Sequence, residues 1–466
     1  MTAPDELTLL ASSRDEWLPS RNSDTGLVSR RSVSTSIASF GGAQFAIAAS
    51  SFVRLPLLAS VLGQGRFGLN FVVGNLAPFL LAIAGGVRIA SRALVAQQRG
   101  AKANSTIAPT MARMSLVALR AALLLAGIGI ALTYILPLHE WLGVGSLVST
   151  SEFNASIAVT IALCAGSCLG AVGWGKLEAE GRVPLLNGFI AGTAVFGLVL
   201  TAALTLVTKS FFVYAIVNSG TSALPWYLPL CYVAFRLHHN RRASVPGHVA
   251  RRAAVLGSAQ AAAPLASRAL DPFVISARVS PQAAAPYGVA QRMSVITTIV
   301  PAGVGPLIAA QYAQRRGSRH HATFGELLAT AGIYALVGGL CGAVLVVLGP
   351  AVAHFLDHGE SGATRALFVA FMVLGITSSA QYAFSLGATG PRSMYASLWI
   401  DGSCALGNAV LSFVLVGPLG VKGPVLASII GSSVAVILWI AVLARRRELL
   451  SDVHEIAGVD GHGSSP

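Results

Sequence analysis

Very few side chains in this 466-residue sequence could do chemistry. Six ionisable groups interrupt otherwise apolar stretches: Arg54, Arg120, Arg268, Arg292, Asp271 and Asp401. Arg268 and Asp271 are three residues apart, so in a helix they share one face and either neutralise each other or act together. With Arg54 and Arg292 they leave a surplus of about two positive charges, roughly the charge of a diphosphate, whose oxygens a guanidinium fork matches in bidentate geometry. Asp271 would then orient an arginine or exchange a proton or a cation. Asp401 stands alone, with Asn408 two turns further on. It is either a hydrogen-bonded packing position, a contact for a sugar hydroxyl, or a proton carrier, a task that suits a carboxyl in an apolar cavity. Arg120 lies near a stretch end, from which it can snorkel to a polar surface.

These groups must be held by membrane-spanning helices. Hydrophobic residues make up 54% of the chain, mean hydropathy is +0.69, and only 11% of residues are charged, against about 25% in soluble proteins. So few charges cannot make a water-facing surface, which excludes a soluble enzyme, a nucleic-acid-binding domain and a secreted disulfide scaffold. The pattern predicts an all-α polytopic membrane protein with twelve spans, near 36–61, 69–87, 115–137, 154–174, 184–207, 211–234, 253–276, 285–311, 326–349, 364–386, 393–415 and 420–444. An ionised group at the centre of such a span costs about 2.5–3.5 kcal/mol, so each one needs a partner or a task.

The distribution of basic residues sets the orientation. With the N-terminus inside, 23 of the 32 Lys and Arg fall in inner segments, five in outer loops and four within spans. The inner set includes Arg88 and Arg92, just past the predicted end of the second span. Both termini are therefore expected in the cytoplasm, with a polar tail over 1–35 that lacks the apolar core of a signal peptide. Six-helix lobes over 36–238 and 253–444 flank a basic inner linker at 239–252, and 445–466 form a second tail. The outer loops are short and hold no paired carboxylates. His354, Asp357, His358 and Glu360 read as a solvated turn in preference to a metal site. The five cysteines lie in apolar stretches and read as packing residues.

The two halves echo each other. Phe67-Gly68-Leu69 leads into the second span as Tyr287-Gly288-Val289 leads into the eighth, and Glu180-Gly181-Arg182 corresponds to Thr389-Gly390-Pro391-Arg392. Duplicated bundles of this kind alternate access to a cavity between lobes. At Leu62-Gly63…Phe67-Gly68-Leu69, at Leu270-Asp271 through Tyr287-Gly288-Val289-Ala290 with Pro306, and at Leu415 through Ser428, the sequence resembles the polysaccharide flippase (Wzx-type) branch of the multidrug/oligosaccharidyl-lipid/polysaccharide exporter superfamily.

The resemblance implies a flippase, not an enzyme, in a bacterial plasma membrane. It would carry a lipid-linked oligosaccharide to the outer leaflet by alternating access, for cell-surface polysaccharide assembly. Its partners would be the glycan lipid, membrane lipids and other polysaccharide-assembly proteins, not nucleic acid. No cofactor is expected beyond a coupling proton or sodium ion, and no nucleotide-binding GxxxxGK[ST] run is present. Arg54, Arg268, Arg292 and Asp401 become the expected substrate contacts and Asp271 the coupling or charge-pairing residue. Pro56, Pro264 and Pro272, each beside a charge, become expected bending points, since proline removes a backbone hydrogen bond from a helix. The alternative in the same superfamily is a cation-coupled exporter of drugs and other small amphipathic molecules. That branch commonly carries acids in its N-terminal lobe, and spans 1–6 as drawn contain none.

Overall fold

The computed structural model describes residues 30–101, 103–234, 247–317, 322–356, 363–388, 391–446 and 449, with some side chains inside them, among them those of 257–268, left undescribed. The terminal tails, residues 239–246 of the linker, and Asp357, His358 and Glu360 fall outside this set. Within it the chain is a bundle of long helices. The run Arg30–Gly100 breaks at Gly63, whose φ of 69° is a backbone state that glycine adopts at no steric cost. The break separates α1 (Ala38–Gly63) from α2 (Gly65–Gly100). There follow α3 (Ile107–Ile135), α4 (Thr150–Ala179), α5 (Val183–Thr205), α6 (Phe211–Ala234) and α7 (Gly247–Arg278). The second half holds α8 (Ala284–Arg316), interrupted by a 3-10 turn at Val295–Thr298, then α9 (Phe324–Leu356), α10 (Arg365–Gly387), α11 (Pro391–Leu419) and α12 (Lys422–Arg445).

Ten of these helices are long and apolar enough to cross a bilayer. The other two, α6 and α7, are diluted by Asn218, Thr221 and Ser222 in one and by Arg251, Arg252, Arg268 and Asp271 in the other. Rows of exposed apolar side chains on α3 (Leu116, Leu123, Leu124) and α9 (Leu336, Leu340, Val347) make up faces suited to lipid.

Packing differs at the two ends of the bundle. The α1–α2 run packs on α4 and α5, α4 on α6, α9 on α10 and α11 on α12, while α7 touches both the α1–α2 run and α11. At the end carrying the Gly63 break, one continuous apolar core joins Phe67, Phe71, Leu142, Phe153, Ile275, Tyr287, Phe368 and Val416 from both halves. Two polar contacts reinforce it: Ser276 Oγ donates to the Leu142 carbonyl at 2.9 Å and Arg66 Nε to that of Leu147 at 2.6 Å. At the opposite end the core splits. One cluster gathers Ala84, Val87, Met111, Cys168 and Ala250, a second gathers Tyr312, Leu327, Phe384, Ile400 and Trp439, and a small third gathers Trp174, Leu177 and Leu186. The space between them is a cavity.

Candidate functional site

The cavity has a volume of about 510 Å³ and lies at the end where the cores are separate, lined by residues of both halves. On its first wall α2 presents Pro78, Leu81, Gly85, Arg88 and Arg92, spaced three or four residues apart on one face. Arg88 and Arg92 thus belong to the helix and not to a following loop. Across from them Glu178 of α4 is 2% exposed. It reaches α2 because Gly175, one turn earlier, has no side chain: a Cβ there would overlap the Arg88 carbonyl and sit 2.8 Å from Arg92 N.

Glu178 is shared three ways. Arg92 Nη1 lies 3.3 Å from Oε2, Trp174 Nε1 donates to Oε1 at 3.2 Å, and Arg88 Nη1 is 3.8 Å from Oε1. Arg88 therefore holds the longest contact, and its Nε is buried without a partner. Its guanidinium instead lies 5.5 Å from the ring centre of Trp226, which packs on Trp174 at 4.8 Å. This wall combines an aromatic platform with an arginine whose hydrogen-bonding capacity is largely unused.

On the opposite wall Asp401 of α11 lines the cavity and is 1% exposed. Four neutral donors surround its carboxylate: Gln381 Nε2 at 2.9 Å and Trp439 Nε1 at 3.3 Å on Oδ1, Ser397 Oγ at 2.6 Å and Ser385 Oγ at 3.3 Å on Oδ2. A turn or two along the same wall, Asn408 Nδ2 donates to Ser428 Oγ at 3.1 Å. Ser428 in turn donates to Asp271 Oδ2 at 3.4 Å. Asp271 also accepts from Tyr287 Oη at 2.5 Å and Ser412 Oγ at 3.1 Å, so hydroxyls of α8, α11 and α12 converge on this α7 acid behind the cavity lining.

The remaining expected contacts lie elsewhere. Arg54 Nη2 is 3.5 Å from Asn218 Oδ1 of α6, and Arg292 stacks 4.5 Å from the Phe71 ring. The two arginines are near enough for each charge to bear on the other, and Gly74 of α2 leaves room between Asn218 and Arg292. They gather toward the sealed end, off the cavity lining. The side chains of Arg268 and Pro264 lie outside the described residues. Pro272 is buried in α7 and Pro56 is half-buried in α1. Among the described residues no three His, Cys, Asp or Glu side chains gather as metal ligands do.

Three cavity residues, Arg88, Arg92 and Glu178, escape a reading that ends spans 2 and 4 at their first charges. The signal for them is periodicity: 78, 81, 85, 88 and 92 continue one helical stripe through the arginines. Helix α4 likewise runs past residue 174 to Ala179 and carries Glu178 inside the fold. The absence of acids from the first six spans is therefore corrected, and with it the argument against the drug-exporter branch.

No protein-family profile matches the sequence, and a search of curated proteins finds no sequence relative. Solved structures do match. A MOP superfamily transporter from Pyrococcus furiosus, described as having a binding pocket of reversed polarity, superposes with a TM-score of 0.69 at 14% identity, over 90% of this chain and 96% of that one. The outward-facing conformation of a multidrug resistance MATE family transporter gives 0.67 at 13% identity, over 90% and 96%. The fold is that of a MATE transporter. An inward-facing MATE conformation matches as well, at 0.60 and 15% identity over 87% and 96%.

Proposed function

We propose that the chain is an alternating-access exporter of small amphipathic molecules, driven by a cation gradient. The observation that carries this reading is the cavity itself, about 510 Å³, lying between the halves where their cores are separate and closed at the other end by a core that they share. That volume falls in the range of pockets for drug-sized ligands, about 300–1,000 Å³. The Trp174–Trp226 platform suits an apolar body and Arg88 an anionic end, since its donors have little else to bind. Glu178 supplies the N-terminal acid expected of the drug-exporter branch, and multidrug MATE proteins are among the solved structures with this fold.

The positive-inside distribution favours a cytoplasmic position for the end that holds the cavity. The proposal accordingly has twelve spans in two six-helix lobes, both termini inside, in a bacterial plasma membrane, and captures substrate from the inner side. The flippase reading is kept as the second one because Arg54 and Arg292 form a cationic pair without an adjacent acid among the described residues, as a diphosphate would require.

Native mass spectrometry of the gently purified protein, with susceptibility testing of an efflux-deficient bacterial host expressing it, separates the two. The exporter reading expects raised resistance to amphipathic anions and no retained glycan lipid. A polyprenyl-diphosphate sugar bound to the protein, with unchanged susceptibility, would overturn it in favour of the flippase.

A further inference from the structure

Four hydrogen bonds to one carboxylate are ordinarily read as a fixed structural charge. The chemistry of the donors around Asp401 says otherwise. The indole nitrogen of Trp439 and the amide nitrogen of Gln381 can only donate, and both are on Oδ1, which must therefore remain an acceptor. The partners of Oδ2 are hydroxyls, which can donate or accept by turning about one bond. A proton can thus be added at Oδ2 without leaving any group unpaired. Ser385 has an acceptor waiting for its own hydrogen, the Gln381 carbonyl at 3.3 Å.

We propose that Asp401 is the coupling site and that the coupling ion is a proton, carried on Oδ2. A proton from cavity water bonds to Oδ2, and the acid now donates to Ser385 Oγ. The Ser385 hydrogen turns from Oδ2 to the Gln381 carbonyl, and the charge at this wall falls from minus one to zero. The step reverses when the cavity faces the other side. Asp401 is 1% exposed, but Ser385 beside it lines the cavity and is half-buried, so the path from cavity water to Oδ2 is one hydroxyl long.

Nothing charged competes for the site among the described residues. On α11 the nearest ionisable group is the Cys404 thiol, a turn away, and Arg392 lies at the helix start. On α10 Tyr382 neighbours Gln381, and on α12 Trp439 faces the acid while Lys422 and Arg445 sit at the helix ends. The described ionisable side chains of α7, namely His248, Arg251, Arg252, Asp271 and Arg278, form no ion pair with Asp401. Arg88 and Arg92 face it from the other wall.

This inference rests on the exporter reading for its purpose but not for its test. The measurement is a pH-difference infrared spectrum of the full-length protein in lipid nanodiscs, stepped between about pH 9 and about pH 5 to bracket carboxyl protonation. The wild type should show the absorption of a protonated carboxyl shielded from water. That band should vanish in Asp401→Asn and persist in Glu178→Gln and Asp271→Asn. Asparagine keeps an oxygen facing Trp439 and Gln381 and turns a neutral donor toward the two serine oxygens, each serine then directing its own hydrogen elsewhere, so the site keeps its size and loses its charge. Ser385→Ala should retain the band but move its midpoint, which a merely structural serine would not do. A band unchanged in Asp401→Asn, or no such band in the wild type, overturns the proton site. In parallel, uptake of carboxyfluorescein by proteoliposomes under an imposed pH gradient should lose at least about tenfold in Asp401→Asn. If wild-type proteoliposomes move no amphipathic dye while the band behaves as expected, the exporter reading fails and the proton site stands.

Discussion

Glu178→Gln tests whether the first wall is held together by one acid serving two arginines. With an effective dielectric of about 20, the separations of 3.3 Å to Arg92 and 3.8 Å to Arg88 correspond to gross attractions of about 5 and about 4 kcal/mol. Desolvating three ions offsets much of this, so the net value of the knot is small. Removing the shared partner is another matter, because Arg92 is 5% exposed and its charge is left largely desolvated once its counter-charge is gone. Losses of this kind run to about 3–5 kcal/mol. Glutamine keeps an oxygen for Trp174 and nearly the same shape, but sets an amide donor against the Arg92 donor, so the effect reports the lost charge and acceptor together and not packing. Arg92→Gln should cost less, about 1–3 kcal/mol, because Glu178 keeps Arg88 and gains hydrogen bonds from the new amide. The assay is a double-mutant cycle on unfolding free energies in mixed micelles. The double variant should be less destabilised than the sum of the singles by about 2 kcal/mol, within the range seen for residues in contact. Additive singles, or a Glu178→Gln cost below about 1 kcal/mol, would refute the shared knot and leave Arg92 held by something else.

Three further outcomes follow from the same geometry. Gly175→Ala should push α2 from α4, because the new methyl meets backbone and not a flexible side-chain tip. The expected cost is about 1–3 kcal/mol, seen as a lower melting temperature and loss of the single peak in size-exclusion chromatography. Asp401→Ala should destabilise the protein where Asp401→Asn does not. It strands Trp439 Nε1 and Gln381 Nε2 at about 1–3 kcal/mol for each unpaired donor, and thermal unfolding of the two variants side by side checks the difference. Finally, in a background with Cys164, Cys168, Cys231 and Cys341 replaced by Ser, a membrane-impermeant maleimide should label Cys404 in inside-out vesicles and not in right-side-out ones. Cys404 lines the cavity, so the opposite pattern would reverse the orientation read from the basic residues.

The helical, polytopic character is legible in the sequence because lipid leaves the backbone no other way to pair its polar groups, and so each crossing shows as a long apolar run. The same reasoning hides the cavity. A span drawn to stop at its first charge assumes that charge marks the membrane surface, and that holds for a helix facing lipid. Helix α2 instead faces a polar interior along one stripe, so Arg88 and Arg92 extend the helix, and Glu178 extends α4 to meet them. Asp401 is legible because it stands alone in an apolar run, with nothing else in its neighbourhood to account for it. Its four donors are not, because Gln381 and Ser385 come from α10 and Trp439 from α12, and no spacing in the sequence brings them together. Arg54 and Arg292 show the converse: they are found easily as charges, and the fold brings them near each other, but toward the sealed end and off the cavity. Charge in an apolar run therefore picks out residues that the fold must shelter, while the walls of the cavity are set by which helix faces stay apart when the cores join. Here the described cores join at the Gly63 end alone, so the transport proposed above would require the Phe67–Phe71–Tyr287 core to part and the Arg88 and Asp401 walls to meet.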